Sequence, residues 1–541
     1  MADQSQARRL FLGCFIALVA TAFGFAVRGA VLEDWARQFS LSEEQKGIIN
    51  GVGLYPFAIS IILFSLIIDR IGYGTAMAFA FLGHIASTLL TIFAPNFEVL
   101  YFATFIYALS NGTVEAVINP VVATVYKDNK THWLNILHAG WPGGMVLAGL
   151  LAIGVQKAGA SLGTALPGQL WQWQMAILVL PILIYGALLA GLRFPTQERV
   201  VAGVSYKEML SEFGWGSAYI VSFLLIMGVS QILTVLNGAT VGGVTLALKP
   251  IPVTYALAGA LIPTLLFAIF IHSFGRPMFV FLLLVMFLLA TTELGTDAWI
   301  QDIMRSVLDN PTYGTLFLVY TAAIMFVLRF FAGPIVHRIS PLGLLAGCSA
   351  LAAAGLLWLG NAGTSVMVLF LAATLYGVGK TFFWPTTLGL VSEQYPRGGA
   401  LLLNAIAGVG MIAVGTIGGP AIGTLQDKDF NVAVREAAPE LHAKLASTKE
   451  GLFSKYEFVD TNRFITAEVD PEQAKQLKQL ESRTKQHVLT RIAVLPAIMC
   501  LCYLALIVYF ISRGGYKAEV LVGHAARDEK FTGGVAGPME A

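Results

Sequence analysis

Ionisable side chains fall inside long apolar runs, among them Arg28, Glu115, Glu293, Asp297, Arg329 and Lys380. A charge at the centre of a bilayer costs roughly 2.5–3.5 kcal/mol on insertion scales, so such groups persist where they pair or border a water-filled path. Glu115 has Asn111 and Asn119 one helical turn to either side. A carboxylate there can accept hydroxyl hydrogens from a solute, and out of water it takes up a proton readily near neutral pH. Its structural alternative is a locked ion pair. Glu293 and Asp297 are four residues apart and share a helix face. Two close carboxylates tend to hold one proton between them, which makes this pair a candidate proton or sodium site unless Asp297 sits at a wet outer mouth. Lys380 and Trp384 have the same spacing, and the indole can stack on a sugar ring or simply pack. An arginine fork binds a carboxylate through two hydrogen bonds. Arg28 or Arg329 facing a cavity would therefore point to an organic anion; for Arg329 the alternative is an inter-helix pair or a snorkelling side chain.

Other polar groups are weaker signals. His138 can relay protons or serve as a hydrogen-bonded structural group. Asn135 and Asn404 can bond across helices or meet the solute. Glycines such as Gly140, Gly143, Gly144, Gly408, Gly410 and Gly415 make two of the apolar runs smooth enough for close, sliding contact. Cys14, Cys348, Cys500 and Cys502 read as buried small hydrophobes, since Cys500 and Cys502 do not share a helix face. The chain has no phosphate-cradling loop with its lysine and no nucleophile, zinc or dinucleotide constellation. The expectation is a protein that is not an enzyme, with no cofactor and no metal.

The elements that carry these groups must be helices in lipid. Of the 541 residues 56% are hydrophobic and only 12% charged; a soluble chain carries about twice that charge. A net charge of +2 argues against nucleic acid. Stretches of some 20 apolar residues occur at 10–31, 47–68, 75–93, 99–126, 134–155, 173–192, 217–236, 253–271, 278–304, 313–336, 342–359, 366–392, 401–425 and 492–510. The fold class is an all-α polytopic membrane protein with about fourteen spans. Arg8 and Arg9 precede the first span, which reads as a membrane helix rather than a cleaved signal. With the N-terminus inside, Arg70, Lys127, Lys130, Arg193, Arg199, Lys207, Arg276, Arg338, Arg397, Arg513 and Lys517 fall in the cytoplasm. The short outer loops keep only Arg37, Lys46, Lys157, Lys249 and Arg305. Both termini are expected in the cytoplasm of a cell with this protein in its inner membrane. The charged stretch 426–489 becomes a long outer loop, a solvated spacer or a lid, with Asp470-Pro471-Glu472 starting a helix that runs into the last span.

A weak direct repeat organises the chain. At a separation of about 269 residues Tyr107 faces Tyr376, Tyr126 faces Tyr395, Leu134-Asn135 faces Leu403-Asn404 and Gly149 faces Gly418. One residue less pairs Asp34 with Asp302 and Arg70-Ile71 with Arg338-Ile339. The implied organisation is a six-helix bundle at 1–194, a linker with an inserted helix pair at 195–276, and a second six-helix bundle at 277–541. The repeat also sets Lys380 and Glu115 at similar depth, where they could pair in an empty cavity.

Two such bundles resemble the major facilitator superfamily. The stretch Ser65-Leu66-Ile67-Ile68-Asp69-Arg70-Ile71-Gly72 is similar to that family's loop motif, and Gly333 to Ser340 to its second copy. The resemblance implies gating roles for Asp69, Arg70, Gly72 and Arg338. It also implies a cavity lined by the first, fourth, seventh and tenth family helices, which here carry Arg28, Glu115, Glu293 with Asp297, and Lys380. Gly112 to Pro120 followed by Leu134-Asn135, with Leu32 to Leu41, is similar to the fucose permease branch, where the glutamate matching Glu115 serves proton-coupled sugar uptake. That branch's helix-one aspartate position holds Gly29, next to Arg28.

The resulting expectation is a secondary active transporter working by alternating access. It moves a small polar solute, a sugar or sugar derivative, with proton (or sodium) coupling through Glu115, Glu293 and Asp297. Arg28, Asn111, Glu115, Asn119, Asn135, Lys380, Trp384 and Asn404 bind the solute. The protein works as a monomer, with the lipid bilayer as its other partner. An organic-anion carrier built on the intramembrane Arg and Lys residues is the alternative, and a non-transporting sensor on the same scaffold a second one.

Overall fold

Apolar runs of this length have one solution in lipid, which is to satisfy every backbone group within a helix. The computed structural model describes residues 2–39, 41, 49, 51–162, 168–236, 240–241, 244–245, 248–309, 311–450, 455–460, 470–522 and 525–530. The expected span 47–68 therefore begins outside the described residues, as does Lys46. Among the described residues eleven helices are long and apolar enough to cross a membrane, and Leu316–Arg329 is a shorter apolar one.

The first group comprises α1 (Ala2–Phe39), α2 (Tyr55–Ile71), α3 (Tyr73–Ile92), α4 (Phe97–Val125), α5 (Lys130–Leu162), and a sixth span broken into α6 (Leu170–Ala176) and α7 (Val179–Leu189). Within it α1 packs on α5, α4 and α7, and α4 on α2 and α3. After the short α8 (Glu198–Val201) come α9 (Tyr206–Leu236) and α10 (Val253–Ile271). α10 packs on α9 and leaves Leu261, Ile262, Leu265, Leu266, Ile269 and Phe270 exposed, a face suited to lipid.

The second group has three interrupted spans. α11 (Pro277–Ala290) passes through a π-helical turn (Thr291–Gly295) into α12 (Thr296–Leu308). α13 (Pro311–Arg329) is followed by α14 (Ala332–Asn361), which bends at Ser340. The expected span 313–336 therefore stops at Arg329. α15 (Val366–Lys380) and α16 (Phe383–Gln394) are separated by a break, and α17 (Gly399–Ala413) passes through a second π turn (Val414–Gly418) into α18 (Gly419–Ala437). π turns and prolines interrupt the hydrogen-bond ladder and often mark functional positions.

The long stretch after α18 is a small folded unit. It includes α19 (Pro439–Leu445), the hairpin of β3 (Ala446–Glu450) with β4 (Lys455–Val459), and α20 (Pro471–Ile492). Its own core is Phe430, Val434, Leu441, Leu445, Val459 and Leu477. Asp470 caps α20, its carboxylate accepting from the Gln473 N–H at 2.8 Å while Gln473 returns to the Asp470 N–H, in line with the sequence expectation. α20 runs through Ala493 into α21 (Val494–Ser512). Lys485 and Lys478 pair with Asp302 and Asp309 of the second group, at 2.8 and 2.6 Å. The remaining hairpins are β1 (Thr240–Val241) with β2 (Val244–Thr245), and β5 (Lys517–Val522) with β6 (Ala525–Lys530) at the C-terminal end.

Candidate functional site

The site lies where the two helix groups meet. Its floor is a stack of contacts rising from the face that carries the N-terminus, here called the N-face. Outermost, Asp69 pairs with Arg199 of α8, and Lys130 with Glu198 at 2.7 Å. Gly72 ends α2 with φ +82°, and its N–H reaches the Ile68 carbonyl at 2.8 Å; that φ favours a residue without a Cβ. Arg70 stacks on Tyr206, its guanidinium 5.2 Å from the ring centroid, and Arg338 is exposed. Within the loop motif, Asp69 is thus paired with Arg199, a partner that sequence proximity does not suggest.

The next layers join the two groups directly. Lys130 donates to the Ser392 carbonyl at 3.2 Å. One oxygen of Glu393 accepts from the Thr131 hydroxyl; the other accepts from the Tyr516 hydroxyl at 2.8 Å. Asn135 donates to the Thr386 hydroxyl at 3.2 Å, and Asn404 to the Ala116 carbonyl at 3.0 Å. These two asparagines, matched by the repeat, make reciprocal bonds from one group to the other. Both are fully buried and serve the contact between bundles.

Deeper still lies a polar chain. Asn119 donates to Glu115 Oε2 at 2.7 Å, and its amide oxygen meets His138 Nε2 at 2.8 Å. The main-chain carbonyl of His138 accepts from Arg329 Nη1 at 2.6 Å, and Arg329 Nη2 donates to Glu293 at 3.2 Å. Lys380 is fully buried, pairs with Asp297 and lies 5.1 Å from the Tyr376 ring centroid. Two expectations are corrected here. Lys380 pairs with Asp297 and not with Glu115, because the helix bearing Asp297 lies beside it within the same group. Glu293 and Asp297, expected to share a proton, are each paired with their own cation, Arg329 and Lys380.

Asn111 also departs from expectation. Its amide oxygen meets His84 Nε2 at 2.9 Å, and His84 Nδ1 meets the Tyr185 hydroxyl at 2.9 Å. Asn111 is thus engaged with α3 inside its own group, and the sequence offered no sign of His84. Trp384 is 8% exposed and packs against Gly410, where an added Cβ would lie 3.0 Å from the indole.

Arg28 stands apart. It is 7% exposed, and its guanidinium lies 4.9 Å from the Phe25 ring centroid. Phe25 in turn meets Trp141 at 5.1 Å. A Cβ at Gly53 would fall 2.3 Å from Arg28 Nη2, so the missing side chain makes room for the fork. Among the described residues no carboxylate pairs with Arg28, and Glu115 meets Asn119 but no cation. Sequence reasoning missed Phe25, Trp141, Thr131, Glu393 and Tyr516, which among so many apolar and surface residues carry no distinguishing signal.

Two groups of membrane-spanning helices thus meet over a junction of buried polar side chains. The family model of the Major Facilitator Superfamily matches residues 14–300, and the chain belongs to that superfamily. It is a family of transporters and not of enzymes. The chain is similar to the gentisate transporter of Corynebacterium glutamicum, 24% identical over 200 residues. That match covers 37% of this chain and only 43% of the relative's length. Among solved structures it is similar to the human organic anion transporter MFSD10, with a TM-score of 0.56, 13% identity and 92% and 99% of the two chains covered. It is also similar to the fucose:proton symporter of E. coli, with a TM-score of 0.53, 14% identity and 91% and 98% covered.

Proposed function

We propose that this protein is a proton-coupled secondary transporter of small organic carboxylates. Arg28 carries the proposal, as a buried guanidinium with an aromatic face beneath it and no acidic partner among the described residues. A guanidinium out of water needs a counter-charge, and a solute carboxylate supplies one, with Phe25 and Trp141 against the solute's apolar body. Glu115 complements it. With a proton on Glu115 and a carboxylate on Arg28, the loaded cavity is balanced in charge, which favours carrying the two together. The likeness to a gentisate transporter supports this reading. Asn119 and His138 position Glu115; Asn135 and Asn404 hold the junction; Lys380 and Trp384 shape the opposite wall; and Glu293 and Asp297 neutralise Arg329 and Lys380.

In this reading fourteen spans are arranged as a bundle at 1–194, an inserted pair within 195–276 and a bundle at 277–541. Both termini are in the cytoplasm of a cell with the protein in its inner membrane, so the closed N-face is the cytoplasmic one. A sugar or sugar derivative is the second reading, favoured by the Glu115–Asn119 pair, which suits solute hydroxyls. Uptake into proteoliposomes under an inward proton gradient decides between them. Gentisate and benzoate should be accumulated and should compete with each other. Accumulation of fucose or xylose with no carboxylate uptake would overturn the anion reading.

A further inference from the structure

Proline has no N–H, so within a helix it leaves the carbonyl four residues earlier without its partner. Three prolines do this at the junction between the bundles. Pro142 in α5 frees the His138 carbonyl, Pro120 in α4 frees the Ala116 carbonyl, and Pro385 near the start of α16 cannot reach the Thr381 carbonyl at the α15–α16 break. A freed carbonyl buried away from water is costly unless a donor reaches it. Each of the three has one. Asn404 donates to Ala116 across the bundles at 3.0 Å. Arg329 serves both of the others, Nη1 to His138 at 2.6 Å and Nε to Thr381 at 2.8 Å, with Nη2 left for Glu293 at 3.2 Å.

We propose that Arg329 is the latch that keeps the N-face closed, because among the described residues it alone joins the proline-freed carbonyl of one bundle to that of the other. A residue placed only to neutralise Glu293 would not need its fork spread over three acceptors. The guanidinium is 2% exposed, and the three donors it uses have fixed directions. Opening the N-face pulls α5 away from α13 and α16, so the Arg329–His138 bond must break. The His138 carbonyl then stays unsatisfied until water enters, which makes partial opening costly and couples opening to hydration. Arg329 is therefore a positioning residue, with its Nε, Nη1 and Nη2 all engaged by protein acceptors.

The inference rests on the transporter class and not on the solute, so its test needs no solute. Spin labels at Ile71→Cys and Ile339→Cys, two exposed repeat-matched positions flanking the N-face, report the distance between the bundles in a background where Cys500 and Cys502 are replaced by alanine. Arg329→Lys should shift the distance distribution toward a longer component, since one ammonium cannot reach three acceptors. Pro142→Ala should do the same without touching the arginine, because the restored backbone N–H at position 142 satisfies the His138 carbonyl within its own helix. The combined variant should shift less than the sum of the two. Melting curves establish that each variant is folded; if Arg329→Lys is not, Pro142→Ala decides alone. Unchanged distances in folded Pro142→Ala, or fully additive shifts, would overturn the latch.

Discussion

The two bundles treat intramembrane charge in opposite ways. In the C-terminal bundle Lys380 has Asp297 and Arg329 has Glu293. In the N-terminal bundle Arg28 rests on an aromatic ring and Glu115 on an amide. The repeat relates the frameworks of the two bundles but not the electrostatics they carry. Paired buried charges are expensive to separate and so favour a fixed geometry. Unpaired ones are poised to gain a partner from outside. Under the proposed function, solute and proton exchange would fall to the N-terminal bundle, where Arg28 and Glu115 have no charged partner among the described residues, and the paired charges of the C-terminal bundle would serve as framework.

The largest expected effect breaks this comparison at Arg28. Arg28→Ala should lower carboxylate uptake on the order of 100-fold, the worth of a two-bond ionic contact. Its melting temperature should hold or rise, because no acid is left unpaired; a marked fall would mean that Arg28 has a hidden structural partner. Glu115→Gln should reduce gradient-driven accumulation about tenfold or more while leaving solute exchange across the membrane at equal pH, since a charge-neutral carrier still binds and turns over. Loss of both activities together would remove Glu115 from proton coupling.

The paired side is sharpened by stability. Lys380→Met alone should destabilise by about 3–5 kcal/mol, and combining it with Asp297→Leu should recover most of that, because the loss comes from an uncompensated charge. Thermal unfolding in detergent reads both, and equal losses in the single and double variants would deny the pair its structural role. The smallest effect is expected at the rim. Tyr516→Phe removes one hydrogen bond to Glu393, worth about 1 kcal/mol, and should raise the N-face-open population several-fold in the same spin-label distances. No change would leave the tail outside the gate.

Much of this architecture is legible in the chain itself. The apolar runs, the repeat, the Asp470 cap and the improbable charges follow from local chemistry, because lipid demands helices and caps demand particular side chains. Asn135 and Asn404 can be matched by position, and their reciprocal bonds follow that match. What cannot be read from residue order is which way each helix is turned toward its neighbours. A four-residue spacing says that Glu293 and Asp297 share a face, but it does not say that two different cations stand opposite them. Asn111 and Glu115 have the same spacing, yet Asn111 is engaged with His84 of α3.

The sequence by itself determined that the chain is apolar enough to span a membrane many times, and that ionisable groups such as Arg28, Glu115, Glu293, Asp297, Arg329 and Lys380 lie within its apolar runs. Only the tertiary structure decided their partners. Helical periodicity carries the identity of a face, whereas a contact depends on the rotation, tilt and interruption of two helices at once. Here prolines and π turns interrupt several of the helices that carry these groups.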